Sequence, residues 1–307
     1  MLLIIPSFNA GEKWQPVIDS IGMQDLSPLR VCVIDSGSQD QTVHLAREAG
    51  FEIEQIPSTD FDHGGTRERA LKHAASTDEF AIFMTQDAIL ASQDSLSALL
   101  KPFEDPKVGL VYGRQLPQKD ATPLAAQARA FNYPNQSFAK TFADRVHLGI
   151  KTPFCSNSFA AYRLSALREV GGFPSKTIMG EDMLVAFKLL KSGFTVYYQS
   201  KACVFHSHNY SLMDEFKRYF DTGVFHFQSR EILADFGGVG GEGFKLLTSQ
   251  LKLANQCPGF KKVGFVWEVL IRNALKLLAY QLGKHHTWLP LVLKKSMSVF
   301  KGYWVNS

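Results

Sequence analysis

Short apolar runs and helix-period stretches alternate through the first hundred residues. Leu2–Pro6, Val31–Asp35, Phe51–Ile56 and Phe80–Met84 are runs of five or six mainly apolar positions. Such runs read as strands buried on both faces. Between them Glu12–Met23, Gln39–Ala49 and Thr66–Ala75 have helical periodicity, with Gly50 as a stop signal. Strands alternating with helices of this length predict βαβ units and a parallel sheet.

The pattern then loosens. Val108–Tyr112, Phe159–Arg163 and Thr195–Phe205 read as strands, Leu164–Val170 as a helical turn closed by Gly171-Gly172, and Asp182–Lys191 as a helix. Pro123–Phe142 is a helical stretch broken at Pro134. From Leu212 onward the periodicity is helical. Gly237–Gly243 holds five glycines in seven residues and predicts a hinge or loop. The boundary is placed there: 1–236 as an α/β body and 237–307 as a basic helical extension.

Composition adds bounds. With 307 residues, 45% hydrophobic and 20% charged, the chain is long and apolar enough for a sizeable core. Cys32, Cys155, Cys203 and Cys257 are far apart and form no CxxC pair, so buried reduced thiols of a cytoplasmic protein are expected. Met1–Pro6 lacks a basic region and reads as a first strand rather than a signal peptide. No run of eighteen apolar residues suggests a membrane-spanning helix. Residues 244–307 hold ten Lys/Arg and one acid, Glu268, which leaves 23 basic against 28 acidic residues in the rest. A basic tail on an acidic body implies an anionic partner. No nucleic-acid motif is present, so the expected partner is an anionic membrane surface, with the protein peripheral on the inner face of the cell membrane. Val263–Gln281 mixes Phe265, Val266, Val269, Leu270, Leu277 and Leu278 with Lys262, Arg272, Lys276 and Lys284 nearby. That suggests either an interfacial helix or a helix packed on the body with a solvated basic face.

Three acids punctuate the chain. Asp35 and Asp87 follow apolar runs, and Asp182 opens a helix. Carboxyl ends of parallel strands are where open α/β sheets bind ligands. The set suits a nucleotide, a metal and a proton transfer. The Pro6-Ser7-Phe8-Asn9 turn offers backbone amides to a polar ligand. Ser38 or Asp40 can cap the following helix, which leaves Asp35 free to accept from a ribose or base.

These residues, in this order, resemble the family 2 inverting glycosyltransferases of GT-A fold. Such enzymes begin with a strand ending Ile-Pro-x-x-Asn, here Ile5-Pro6-Ser7-Phe8-Asn9. Their next strand ends Asp-x-Gly-Ser-x-Asp-x-Thr, here Asp35 to Thr42. Arg67, Asp87 and Glu181-Asp182 continue the match. Phe61-Asp62-His63-Gly64-Gly65-Thr66-Arg67, Thr85-Gln86-Asp87-Ala88 and Phe205-His206-Ser207-His208-Asn209-Tyr210 are similar to segments of bacterial rhamnosyltransferases that build surface polysaccharides.

The resemblance implies a Rossmann-like, mostly parallel sheet. It implies sugar transfer from dTDP-L-rhamnose to a glycan or polyprenyl-linked acceptor in O-antigen synthesis. Pro6, Phe8, Asn9, Asp35, Gly64, Arg67, Gln86 and Asp87 would bind the donor. Gly64 would let backbone approach the ligand, and Arg67 would face the diphosphate or base. Asp87 and His206 would hold Mg²⁺ or Mn²⁺, although the usual Asp-x-Asp is here Thr85-Gln86-Asp87. Asp182 would be the general base. Glu181, His63 and His208 would contact the acceptor or support the site, His63 otherwise being a turn histidine against Phe61. If the strand continues, His208 faces away from His206; it is an alternative ligand. Two other readings remain open: a UDP-hexose-dependent enzyme of the same fold, and a non-catalytic nucleotide-sugar-binding scaffold.

Overall fold

The structure is a computed structural model that describes residues 1–256, 258 and 260–305. The strands are β1 (Leu2–Ser7), β2 (Arg30–Asp35), β3 (Glu52–Gln55), β4 (Phe80–Met84), β5 (Ile89–Leu90), β6 (Val108–Leu116), β7 (Phe138–Lys140), β8 (Phe159–Arg163) and β9 (Thr195–Phe205). The helices of the first half are α1 (Trp14–Gly22), α2 (Thr42–Glu48), α3 (His63–Ala70), α4 (Ser95–Leu100), α5 (Pro123–Asn132) and α6 (Arg145–Leu148). Those of the second are α7 (Leu164–Glu169), α8 (Glu181–Lys191), α9 (Leu212–Gln228), α10 (Arg230–Phe236), α11 (Gly240–Leu253), α12 (Phe260–Lys284) and α13 (Leu291–Met297).

One sheet runs β3-β2-β1-β4-β8-β6-β9-β5, with β7 paired to the other part of β9. β3, β2, β1 and β4 are parallel, as the alternation predicts. β8 is antiparallel to both β4 and β6, whereas β6 and β9 are parallel. The continuous apolar runs follow from cover on both faces. Leu2, Ile4, Cys32, Ile34 and Phe83 join one core with α3, α7, α8 and α9. Leu3, Ile5, Val31, Val33, Ile82 and Met84 join the other with α1 and α4. Neighbours along a strand point to opposite faces, so nearly every position of β1, β2 and β4 is buried, whereas the edge strand β3 stays partly exposed.

Three details depart from the sequence expectation. α5 stops at Asn132, and Phe138–Lys140 of the expected helical stretch is instead a strand on β9. Pro134 blocks the helix, and the tethered strand supplies backbone partners for the edge of β9. β6 runs to Leu116 rather than Tyr112, through an irregularity between Gly113 and Arg114. In the glycine cluster, Gly240–Gly243 open α11 rather than form a loop. Cys32 and Cys155 are buried free thiols and Cys203 is a half-buried one; Cys257 lies outside the described residues. Among the described residues, no helix is long and apolar enough to cross a membrane.

The C-terminal helices lie against the body. α12 crosses α9 where Gly223 meets Gly283; a Cβ at Gly283 would sit 2.0 Å from the Phe220 carbonyl oxygen, and one at Gly223 would sit 2.2 Å from that of Tyr280. Arg272 and Lys276 of α12 both pair with Glu215 of α9, at 2.9 and 3.1 Å. Further on, the Val299 amide donates to the buried Asp221 carboxylate at 2.8 Å, and Trp304 enters the core. Gly283→Ala therefore forces the two helices apart. The expected loss is about 1–3 kcal/mol, as for overpacking elsewhere. It is read as a lower Tm; an unchanged Tm would contradict the close crossing.

Candidate active site

The predicted residues gather at the ends of β1, β2, β4 and β9 and the start of α8, but several do work other than the work expected. Asp35 is fully buried, and its carboxylate accepts from Ser7 Oγ at 3.1 Å, Gly37 N at 3.1 Å, Ser38 N at 3.0 Å and Ser38 Oγ. A carboxylate has about four acceptor positions, so all are taken. Asp35 shapes the loop after β2 rather than presenting a free oxygen to a nucleoside. The backbone amides after β1 are also engaged. Phe8 N donates to Gln86 Oε1, Asn9 N to Ser38 Oγ, Ala10 N to Thr42 Oγ1 and Gly11 N to Asp40 Oδ2. No anion cradle is left there. Gln86 Nε2 returns a bond to the Phe8 carbonyl at 3.0 Å, and Asn9 Oδ1 accepts from Gln39 N at 2.8 Å. Pro6 precedes this clamp in β1, and the Phe8 ring remains half exposed beside it.

Gly64 is corrected likewise. A Cβ there would lie 1.7 Å from the Pro174 carbonyl oxygen. The glycine lets α3 meet the 174 segment, not a ligand. Asp62 caps α3 through Gly65 N and also accepts from Lys176 N. Arg67, expected on a diphosphate or base, is buried in the body. Its NH1 group lies 3.0 Å from Glu181 Oε1 and donates to the His63 carbonyl at 2.8 Å. His63 packs edge-on against Phe61 at 5.1 Å and Phe300 at 4.4 Å. Burial lowers its basicity, and it supports the Arg67 pocket.

Glu181 and Asp182 are adjacent in sequence, but their surroundings shift their pKa values in opposite directions. Gly180, in the left-handed region (φ 74°), turns the chain into α8. Glu181 is buried and also accepts from Asn157 Nδ2 at 3.0 Å. Burial alone would raise its pKa; the charges of Arg67 and His63 and the Asn157 bond outweigh that and lower it. Asp182 is half-buried and accepts from Asn157 N at 3.1 Å and Met183 N at 2.7 Å. Burial, then the negative charge of Glu181, pushes its pKa up to about 7. Neighbouring carboxyls driven apart in this way are the pattern that suits an acid–base pair.

The second half of the site is Asp87, His206 and His208. Their ligating atoms all lie within 4.8 Å of one another. His206 Nε2 is 3.3 Å from Asp87 Oδ1, and His208 Nε2 is 3.6 Å from Asp87 Oδ2. His206 and His208 are two residues apart, and a period of two puts such positions on one side of an extended chain, so both imidazoles face Asp87, contrary to the expectation for His208. Burial and then His206 lower the His208 pKa to about 4, leaving it neutral. Burial opposes ionisation of Asp87, but chiefly the hydrogen bond with His206 outweighs it and holds the carboxyl well below the usual range. One carboxylate and two imidazoles fit a divalent transition metal such as Mn²⁺ better than Mg²⁺, which prefers oxygen.

The sequence reading missed the frame that joins the halves. Gln115, beyond the predicted end of β6, accepts from Arg129 NH1, faces His206 Nδ1 at 3.0 Å and donates to Ser156 Oγ at 3.0 Å. The next residue, Asn157, holds both carboxyls of the acid pair and accepts from Tyr162 at 2.6 Å. Arg218 on α9 stacks on Tyr210 at 5.0 Å. It and Arg129 exert positive charge on His208. Nothing in their spacing marks these residues; only the tertiary fold brings them together.

Comparisons with known proteins identify the family and the fold. Residues 2–171 match the family described as Glycosyl transferase family 2. The chain is 48% identical to the O-antigen chain rhamnosyltransferase RfbN of Salmonella typhimurium, over 99% of this chain and 96% of that one. It is 43% identical to the O-antigen chain rhamnosyltransferase WbaN of Salmonella anatum, over 99% and 95%. In structure it is similar to a mannosyltransferase from Pyrobaculum calidifontis solved with GDP-Man and Mn²⁺: TM-score 0.64, 19% identity, 94% of this chain and 87% of that one. The chain belongs to glycosyltransferase family 2 and has a GT-A-like fold.

Arg67→Met leaves the buried Glu181 without its partner. Breaking one half of a buried pair is expected to destabilise by about 3–5 kcal/mol. Chemical denaturation of the variant checks this. A loss under about 1 kcal/mol would show that Glu181 reaches water.

Proposed function

We propose that this family 2 glycosyltransferase transfers L-rhamnose from dTDP-L-rhamnose to a glycan or polyprenyl-linked acceptor during O-antigen assembly, with inversion at the sugar carbon. Two long relatives are O-antigen chain rhamnosyltransferases. The observation that carries the mechanism is the split acid pair: Glu181 held ionised by Arg67, and Asp182 raised toward neutrality beside it.

In this reading the acceptor hydroxyl binds next to Asp182. Its oxygen attacks C1 of the sugar, the bond from C1 to the diphosphate oxygen breaks, and the hydroxyl proton passes to Asp182. A base whose pKa lies near the working pH is well matched to that transfer. Asn157 and the Met183 amide hold the carboxylate in position. Glu181 does not touch the acceptor; its negative charge keeps Asp182 basic.

Asp87, His206 and His208 would hold a divalent cation, as the Mn²⁺-bound mannosyltransferase of similar fold suggests. When bound, such an ion neutralises charge on a departing diphosphate. His206 is oriented for this by Gln115, and Arg129 and Arg218 add positive charge nearby. The exposed Phe8 ring offers a stacking face for the donor base, positioned by the Gln86 clamp. A scaffold that only bound the donor would need no base, so the raised Asp182 favours catalysis.

Asp182→Asn is the test. Calorimetry on wild type and variant should give equal affinity for dTDP-L-rhamnose, tighter than for UDP-glucose or UDP-N-acetylglucosamine. Turnover by the variant should fall about 10²–10⁴-fold. Near-normal turnover would overturn the role of Asp182. Tighter binding of a UDP-sugar would overturn the donor and leave the base in place.

A further inference from the structure

The long helix α12 packs inward through Val269, Ala279 and Tyr280, yet it also turns charge inward and leaves an apolar stripe outside. A helix lying on a protein normally turns its apolar side inward and its charges to water. Here Arg272 and Lys276 point inward, both onto Glu215, and Asn273 donates to Gln250 at 2.8 Å. Val263, Trp267, Leu270, Ile271, Leu277 and Leu278 point outward. With the exposed Ala274 between Ile271 and Leu278, steps of three and four link them into one stripe along a single face. It spans about 22 Å at 1.5 Å per residue. Trp267 is 61% and Leu277 62% exposed, and beyond α12 Trp288 is 84% exposed. The orientation is fixed, because the Gly223–Gly283 crossing and the two ion pairs to Glu215 lock the helix rotation.

We propose that this stripe is a docking surface for an anionic lipid bilayer, on which the protein lies with α12 in the interface. Scattered exposed apolar residues are ordinary; a contiguous stripe on a locked helix marks an interaction face. Charge identifies the partner. Residues 244–307 carry ten Lys/Arg against Glu268, and Glu268 is taken by Arg272 at 2.9 Å. Lys262 at one end of α12, and Lys294, Lys295 and Lys301 beyond it, therefore bias the tail positive. Two copies of such a tail would repel one another, whereas acidic headgroups would attract it. Trp267 and Trp288 are the side chains that settle at a lipid–water boundary. Among the described residues no helix is long and apolar enough to span a membrane, so the binding proposed is peripheral and reversible. The surface is thus the outward apolar stripe of α12, and Arg272 and Lys276 of that helix help to hold it outward.

Co-sedimentation of the full chain with vesicles tests this. Vesicles of phosphatidylglycerol and phosphatidylethanolamine are compared with vesicles of phosphatidylcholine alone. The expected result is binding to the anionic vesicles, weaker binding to the neutral ones, and at least a tenfold loss for Trp267→Ser/Leu277→Ser/Leu278→Ser. These side chains are exposed, so Tm and nucleotide release with a water-soluble acceptor should be unchanged. Brominated lipids should quench the wild-type tryptophan fluorescence, because Trp14 and Trp304 are buried and Trp267 and Trp288 are not. Wild type remaining in the supernatant, or equal sedimentation of the variant, overturns the proposal. A wild-type dimer that the variant converts to monomer in sedimentation velocity also overturns it, and assigns the stripe to self-association.

Discussion

The buried ion pair between Arg67 and Glu181 is the interaction on which the site depends. It joins α3 to the start of α8 at 3.0 Å, and both side chains are almost wholly removed from water. Without Arg67, two neighbouring carboxyls would compete to be the protonated one. With it, Glu181 stays charged and its field falls on Asp182. The local structure serves this pair. Gly64 allows α3 to reach the Pro174 backbone, Asp62 caps the helix, and the His63 carbonyl takes a further bond from the guanidinium. Phe300, from the far end of the chain, closes over His63. The C-terminal segment is therefore part of the support of the acid pair and not only an appendage.

The two chemical halves share a frame. The Asp87–His206–His208 cluster is oriented by Gln115, and Gln115 is held by Ser156. Ser156 is followed by Asn157, which binds both Glu181 and Asp182. A short loop before β8 thus sets one half relative to the other. Antiparallel β8 lies between β4, whose end leads to Asp87, and β6, whose end carries Gln115. Placing that strand there is what brings the Asp87–His206–His208 cluster and the Glu181–Asp182 pair to one sheet edge.

Much of the fold was legible because buried strands must be apolar throughout when both faces are covered, as in Leu2–Ile5 and Phe80–Met84. The ordered acids and histidines were legible because they stand at strand ends and a helix start. What was not legible depended on contacts distant in sequence. Asp35 was expected to be free, yet the hydroxyls and amides of its own and the neighbouring loop occupy it. Arg67 was expected to face a ligand, yet Glu181, more than a hundred residues away, draws it inward. Gly64 serves Pro174. β5 and β7 are two and three residues long, too short for any period to show. His208 was expected to face away from His206, yet positions two apart share one side of an extended chain, and both meet Asp87. In α12 the composition was read correctly as apolar with a basic face, but which face turns outward follows from Glu215 and two glycines.

The central claim is that Asp182 is a base made near-neutral by burial and by the charge of Glu181. The direct measurement is the pH dependence of kcat/KM from about pH 5 to about pH 9, which reports the base of the free enzyme. Below its raised pKa Asp182 holds a proton and cannot accept another, so the rate rises as pH rises through that value. The account predicts an acid limb with unit slope and a midpoint near the raised value of about 7. A profile flat down to about pH 5, with its limb near the ordinary carboxylate value of 3.8, would contradict it.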